Sequence, residues 1–158
     1  MDTTKALKKG RNLIPDEVFA KLVTRIEAEH HFDADMAARC VDQAAAYLAA
    51  CASSTAPLSP SMAADIGWHM FILHTRDYAD FCEQVAGRFI HHVPHDEPAE
   101  QSTEDVQAIL DRSSAAIRKA GYQVDTELWR ADGGAGKCNG CHSGCHDDPA
   151  PVPPFHEG

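Results

Sequence analysis

The chain has 158 residues and a mass of 17.2 kDa, enough for one domain with a real core and too little for two of ordinary size. Fourteen lysines and arginines stand against 24 aspartates and glutamates, a formal charge of −10, which disfavours a nucleic-acid or anionic-membrane surface. The longest apolar run, Ala44 to Ala52, has nine residues, whereas a membrane span needs roughly 20. The N-terminus is locally basic without a continuous apolar core, so no secretory signal is read there and the expected location is the cytoplasm. In that reducing compartment, a cluster among the six cysteines points to metal or redox chemistry rather than to disulfides.

Residues 1–14 carry four basic side chains and little apolar periodicity, so they are expected to form a mobile basic arm. Pro15 followed by Asp16 and Glu17 signals a helix start, and Val18, Leu22 and Ile26 give a helical stripe over about 15–29. Asp33 is a plausible N-cap for a second helix over about 34–52, with Met36, Cys40, Ala44, Tyr47, Leu48 and Cys51 on one face. Ser59-Pro60-Ser61 combines a cap residue with proline before the apolar series Met62, Ile66, Trp68, Ile72 and Leu73, a third helix ending near 73. Thr75 is the expected cap of a further helix through Tyr78, Phe81, Cys82 and Val85, which Gly87 stops in the left-handed conformation.

Phe89 to Pro94 reads as extended, because β-branched residues crowd it and the residue before proline avoids helix. Ser102 with Asp105 resembles a capping box, opening a helix over about 103–120. Asp125 is placed to cap a last turn with Leu128 and Trp129. The fold class expected is all-α, a compact bundle of five or six short helices over 15–130. A Gly-rich linker at 131–137 and a Cys/His-rich tail at 138–158 follow.

The tail carries the densest chemistry. Cys138, Cys141, His142, Cys145 and His146 place three thiols and two imidazoles within nine residues. Thiolate and imidazole are the ligands that zinc prefers, and Cys-x-x-Cys lets two sulfurs reach one tetrahedral centre from a tight turn. Closing four ligands inside so short a stretch strains the backbone, so one ligand is expected from the body or from a second subunit. Cys138-x-x-Cys141-His142 is also the string at which c-type haem attaches, although the missing export signal argues against haem. A redox disulfide resolved by Cys145, or a sulfur cluster, is a further alternative, and a disordered tail with incidental metal affinity is the plainest one.

The body offers a second candidate centre. Asp65 and His69 are four apart, so carboxylate and imidazole share one helix face, either as two ligands or as a carboxylate orienting a histidine. The plain alternative is a buried hydrogen-bonded pair beside Trp68. Gly67 within that helix costs about 1 kcal/mol against alanine, which suggests that another backbone packs closely there. In Arg88-Phe-Ile-His91-His92-Val-Pro94 the adjacent histidines of an extended segment face opposite ways, so only one of His91 and His92 readily joins His69. Asp65, His69 and one of those histidines would resemble a two-histidine, one-carboxylate centre for iron or zinc. His30 and His31 read as a solvated helix end, and Cys40, Cys51 and Cys82 as buried structural thiols.

Asp65, Trp68-His69, Phe71-Ile72-Leu73, Thr75, Tyr78, Phe81-Cys82 and the run from Gly87 to Pro94 resemble the core pattern of bacterial glycine-rich domain-containing proteins. That group is related to the plant glycine-rich-domain proteins. The resemblance covers about residues 60–95, and Cys145 to Pro149 is similar to the tails of actinobacterial members. Its recurring residues fall on Asp65, Trp68, His69, Tyr78, His91 and His92, and it implies no established catalytic role.

The function expected from the sequence is a small cytosolic zinc-binding protein with a binding, regulatory or assembly role and a protein partner. Its oligomeric state is not readable. A metalloenzyme built on Asp65, His69 and His91 or His92 is the alternative. A redox-active tail and a modified-peptide precursor, with Gly133-Gly134 as a cleavage site, are further ones.

Overall fold

A computed structural model describes residues 5–94 and 101–132, and in addition the backbone of 145–146. Five α-helices follow in chain order: α1 (Asp16–His30), α2 (Ala34–Ser53), α3 (Met62–Leu73), α4 (Thr75–Ala86) and α5 (Thr103–Lys119). Short 3-10 turns lie at Gly10–Leu13 and Thr126–Trp129. The class is all-α. No helix of the described residues is long and apolar enough to cross a membrane.

Local chemistry explains most boundaries. Asp33 accepts from the Met36 amide at 2.8 Å to open α2, and Ser102 accepts from the Asp105 amide at 3.2 Å to open α5. Gly87 ends α4 at φ 65°, a conformation that glycine adopts without a Cβ penalty. The cap of α3 is Ser61, which accepts from the Ala64 amide, rather than Ser59 before the proline. Ser59 instead exchanges two bonds with Ser113 of α5, its amide donating and its carbonyl accepting. Helices α3 and α4 are separate, with His74 between them at φ −91°, ψ 69°, outside the helical region.

Helix α2 is central and touches α1, α3, α4, α5 and the first 3-10 turn. Its closest neighbour is α3. A Cβ built on Gly67 would overlap the Cys40 carbonyl oxygen and lie 2.8 Å from the Ala44 Cβ, so only glycine permits this approach. Beside this contact α3 carries aromatics, with Trp68 against Tyr47 of α2 at 5.6 Å between centroids and Phe71 against Tyr78 at 5.3 Å.

The arm expected at 1–14 is described from residue 5, and there it lies on the body. The Lys8 amide donates to the Gly121 carbonyl at 2.9 Å, and the Lys8 carbonyl accepts from the Gln123 amide at 2.8 Å. The Arg11 amide donates to Asp42 of α2 at 2.8 Å. These are long-range backbone and capping contacts that apolar periodicity does not register. Residues 133–144 and 147–158, which hold the rest of the expected linker and tail, lie outside the described residues.

Two buried polar side chains tie the peripheral segments to the helices. Gln43 accepts from the Trp129 indole at 2.8 Å and the Asp125 amide at 3.1 Å, and donates to the Gln123 carbonyl at 3.2 Å. Tyr78 accepts from the Trp68 indole at 2.9 Å and donates to the Ile90 carbonyl. Arg39 adds an ion-paired fork to Asp125 and Glu127, which keeps its guanidinium protonated more firmly than usual.

Gly67→Ala is expected to destabilise the fold by about 1–3 kcal/mol through overpacking, even though alanine favours helix by about 1 kcal/mol. Urea unfolding checks this, and a more stable variant would mean that α2 and α3 are not held in contact. Tyr78→Phe leaves the Trp68 indole and the Ile90 carbonyl without that partner. It should cost about 1–3 kcal/mol and speed amide hydrogen exchange at Ile90 and His92.

Candidate metal centre

The centre is assembled from one helix and the extended segment that returns across it. Ser61 opens α3, placing Asp65 in the first turn, where the positive end of the helix dipole favours a carboxylate. Asp65 is only 4% exposed. His69 follows one helical turn later on the same face. After Gly87 reverses the chain, Tyr78 holds Ile90 by its carbonyl, and His92 is set down against Trp68 with ring centroids 4.3 Å apart.

His92 Nε2 lies 2.9 Å from Asp65 Oδ1, and His69 Nε2 lies 3.5 Å from the same oxygen. The two imidazole rings are 4.2 Å apart between centroids. One ligand atom from each of Asp65, His69 and His92 falls within 4.8 Å of the other two. Metal–ligand bonds of about 2.0–2.1 Å put neighbouring ligand atoms about 2.9 Å apart at right angles and about 3.4 Å apart in a tetrahedron. The 2.9 Å contact of His92 with Asp65 is a hydrogen bond, and both separations from the carboxylate oxygen are short enough for one ion to reach all three side chains.

The electrostatics suit a ligand set. Burial pushes the His69 pKa down, as do the His92 and His30 imidazoles, while the Asp65 carboxylate pulls the other way, and the net direction is downward. A neutral imidazole keeps the lone pair that a metal uses. Among the described residues, the ion-pairing partners of Asp65 are these two histidines, with no lysine or arginine on it.

Of the four body residues singled out in the sequence, the structure brings Asp65, His69 and His92 together and leaves His91 apart. His91 is exposed and its ring lies 4.9 Å from that of Phe89. Of the tail set, Cys138, Cys141 and His142 lie outside the described residues. Cys145 and His146 are described in backbone only, in a two-residue antiparallel pairing of His146 with Val93 and Cys145 with Pro94. In the body, Cys40 is buried and its thiol is pushed up to about 12 by that burial, so it is inert, and Cys82 is buried as well.

Two features escaped sequence reasoning. His30, read as a solvated helix end, lines a groove of about 440 Å³ with Glu29, Ile66, Met70, Ile72, Leu73, His69 and His92. The signal was its position four residues after the buried Ile26, which continues the inward stripe of α1. The other is the Trp68–Tyr78–Ile90 relay, whose signal was two aromatics with polar tips on apolar stripes, each needing a partner when buried.

Neither the curated proteins nor the solved structures compared with this chain give a match. A family model described as UCP032817-like matches residues 11–119. This corrects the resemblance to glycine-rich domain-containing proteins. That resemblance rested on about residues 60–95, the stretch that builds the carboxylate–histidine cluster and the Trp–Tyr relay. Local packing demands of this kind constrain a short pattern without defining its family. The matched region runs from the first 3-10 turn through α5, well over half of the chain, and the protein belongs to the UCP032817-like family.

Proposed function

We propose that the protein binds a divalent transition metal through Asp65, His69 and His92, and that the bound ion works on a ligand admitted from the adjoining groove. The observation that carries this reading is the convergence of three ligand atoms within 4.8 Å around a buried carboxylate. Three protein ligands leave positions for water and a substrate, whereas structural zinc sites close with four. Two histidines and one carboxylate suit zinc in hydrolytic chemistry and iron(II) in oxidative chemistry, and this ligand set does not choose between them. Buried thiols at Cys40 and Cys82 suit the reducing cytoplasm.

The zinc-binding tail with a protein partner is the other reading. It rests on the composition of Cys138, Cys141, His142, Cys145 and His146 and is independent of the body centre.

Elemental analysis and calorimetric titration of the full chain test the body centre. His69→Ala, at a half-exposed position, is expected to lose one equivalent of zinc or cobalt(II) relative to the unmodified protein. His92→Ala should do the same. Metal present at 100 times its dissociation constant should add about 2.7 kcal/mol of stability, an increment absent from both variants. Full metal content and an unchanged increment in His69→Ala would sink the reading.

A further inference from the structure

The groove beside the centre is built on the helix that carries two of its ligands. Ile66, Met70 and Leu73 follow one another at spacings of four and three along α3, next to the Asp65–His69 row. Ile66 and Met70 are buried and form the floor. Leu73 on the wall is 62% exposed, an apolar side chain left in water at the groove. Glu29 and His30 from the end of α1 lie across from this stripe. The Glu29 carboxylate is engaged by Arg25 at 2.9 Å, which draws its charge along α1.

Charge selects the head group of an occupant. A divalent ion held by one carboxylate and two neutral imidazoles keeps a net charge of about +1, so its open positions favour an anionic oxygen donor. Length selects the rest. From Ile66 to Leu73 the helix rises about 10 Å, roughly the reach of an extended eight-carbon chain. Resting on the metal-centre reading above, we infer that the groove takes a monocarboxylate with a medium-length aliphatic chain. The carboxylate sits on the metal, and the chain runs over Ile66 and Met70 to Leu73.

Cobalt(II) in the full chain reports this through its visible bands. The part of the spectrum lost in His69→Ala belongs to the body centre and is separated in that way from any thiolate site. Octanoate is expected to perturb that part at concentrations at least about tenfold below acetate, since each fully buried methylene is worth about fourfold. Leu73→Asn, at an exposed position outside the ligand set, should weaken octanoate about threefold or more and leave acetate and cobalt(II) binding unchanged. Equal affinity for octanoate and acetate overturns this inference and leaves the metal centre standing. Octanoate binding to His69→Ala with undiminished affinity, measured by calorimetry, overturns the metal-bound head group. A cobalt(II) spectrum that does not depend on His69 overturns the metal centre and the inference together.

Discussion

The missing side chain of Gly67 sets the position of α3, and the position of α3 sets the site. The Cys40 carbonyl occupies the space that a Cβ would take, so α2 and α3 meet backbone to backbone. Helix α2 is adapted to such contacts, with Ala37, Ala44, Ala45, Ala46 and Ala50 all buried. Alanine buries little area per residue, so this interface gives closeness rather than much hydrophobic free energy. The larger contribution comes from the aromatics around it, Tyr47, Trp68, Phe71, Tyr78 and Trp129, each worth about 1.5–3 kcal/mol when fully buried. Proximity and stability are therefore supplied by different residues, and α3 carries both kinds on adjacent faces.

Polar groups then fix what apolar packing leaves free. The return segment after Gly87 has no helix of its own to hold it, yet it must deliver His92 to Asp65. Tyr78 does this by gripping the Ile90 backbone while receiving the Trp68 indole, so one hydroxyl joins α3, α4 and the return segment. A relay of this sort carries high stakes, because each buried group in it depends on the others for satisfaction. Gln43 plays the same part at the opposite end, where it holds residues 123–129 against α2. His92 is thus fixed by the grip of Tyr78 on Ile90 two residues before it and by its own packing on Trp68, the support that a precisely spaced ligand set requires.

How much of this was legible depended on the range of the interaction. Asp33, Ser102 and Gly87 act within three or four residues of themselves, and the helices they bound lie within a residue or two of the sequence reading. The pairing of Asp65 with His69 is one helical turn long and equally local. That only one of two adjacent histidines can join them follows from the alternation of an extended chain, and His92 is the one placed there. The choice of Ser61 over Ser59 as cap was not legible, because Ser59 is drawn off by Ser113 in α5. Nor was the docking of residues 5–14, which depends on Asp42 and on the backbone around Gly121 to Gln123. The role of His30 was hidden for the same reason, since its neighbours across the groove belong to α3 and the return segment.

Charge is what favours a metal over a plain hydrogen-bonded cluster at Asp65. A carboxylate as buried as Asp65 costs several kcal/mol to desolvate unless a cation or a full set of donors compensates it. Its neighbours are two imidazoles, and burial together with the other imidazoles holds the His69 ring toward the neutral form. One imidazolium would balance the carboxylate, but burial and the neighbouring imidazoles push the His69 ring away from that role. The proposed divalent ion would meet both demands at once, since it would neutralise Asp65 and bind the His69 imidazole in the state that burial favours. The same reasoning explains the placement of Asp65 in the first turn of α3. The positive end of the helix dipole faces that carboxylate, so the helix start that Ser61 defines also supports the site.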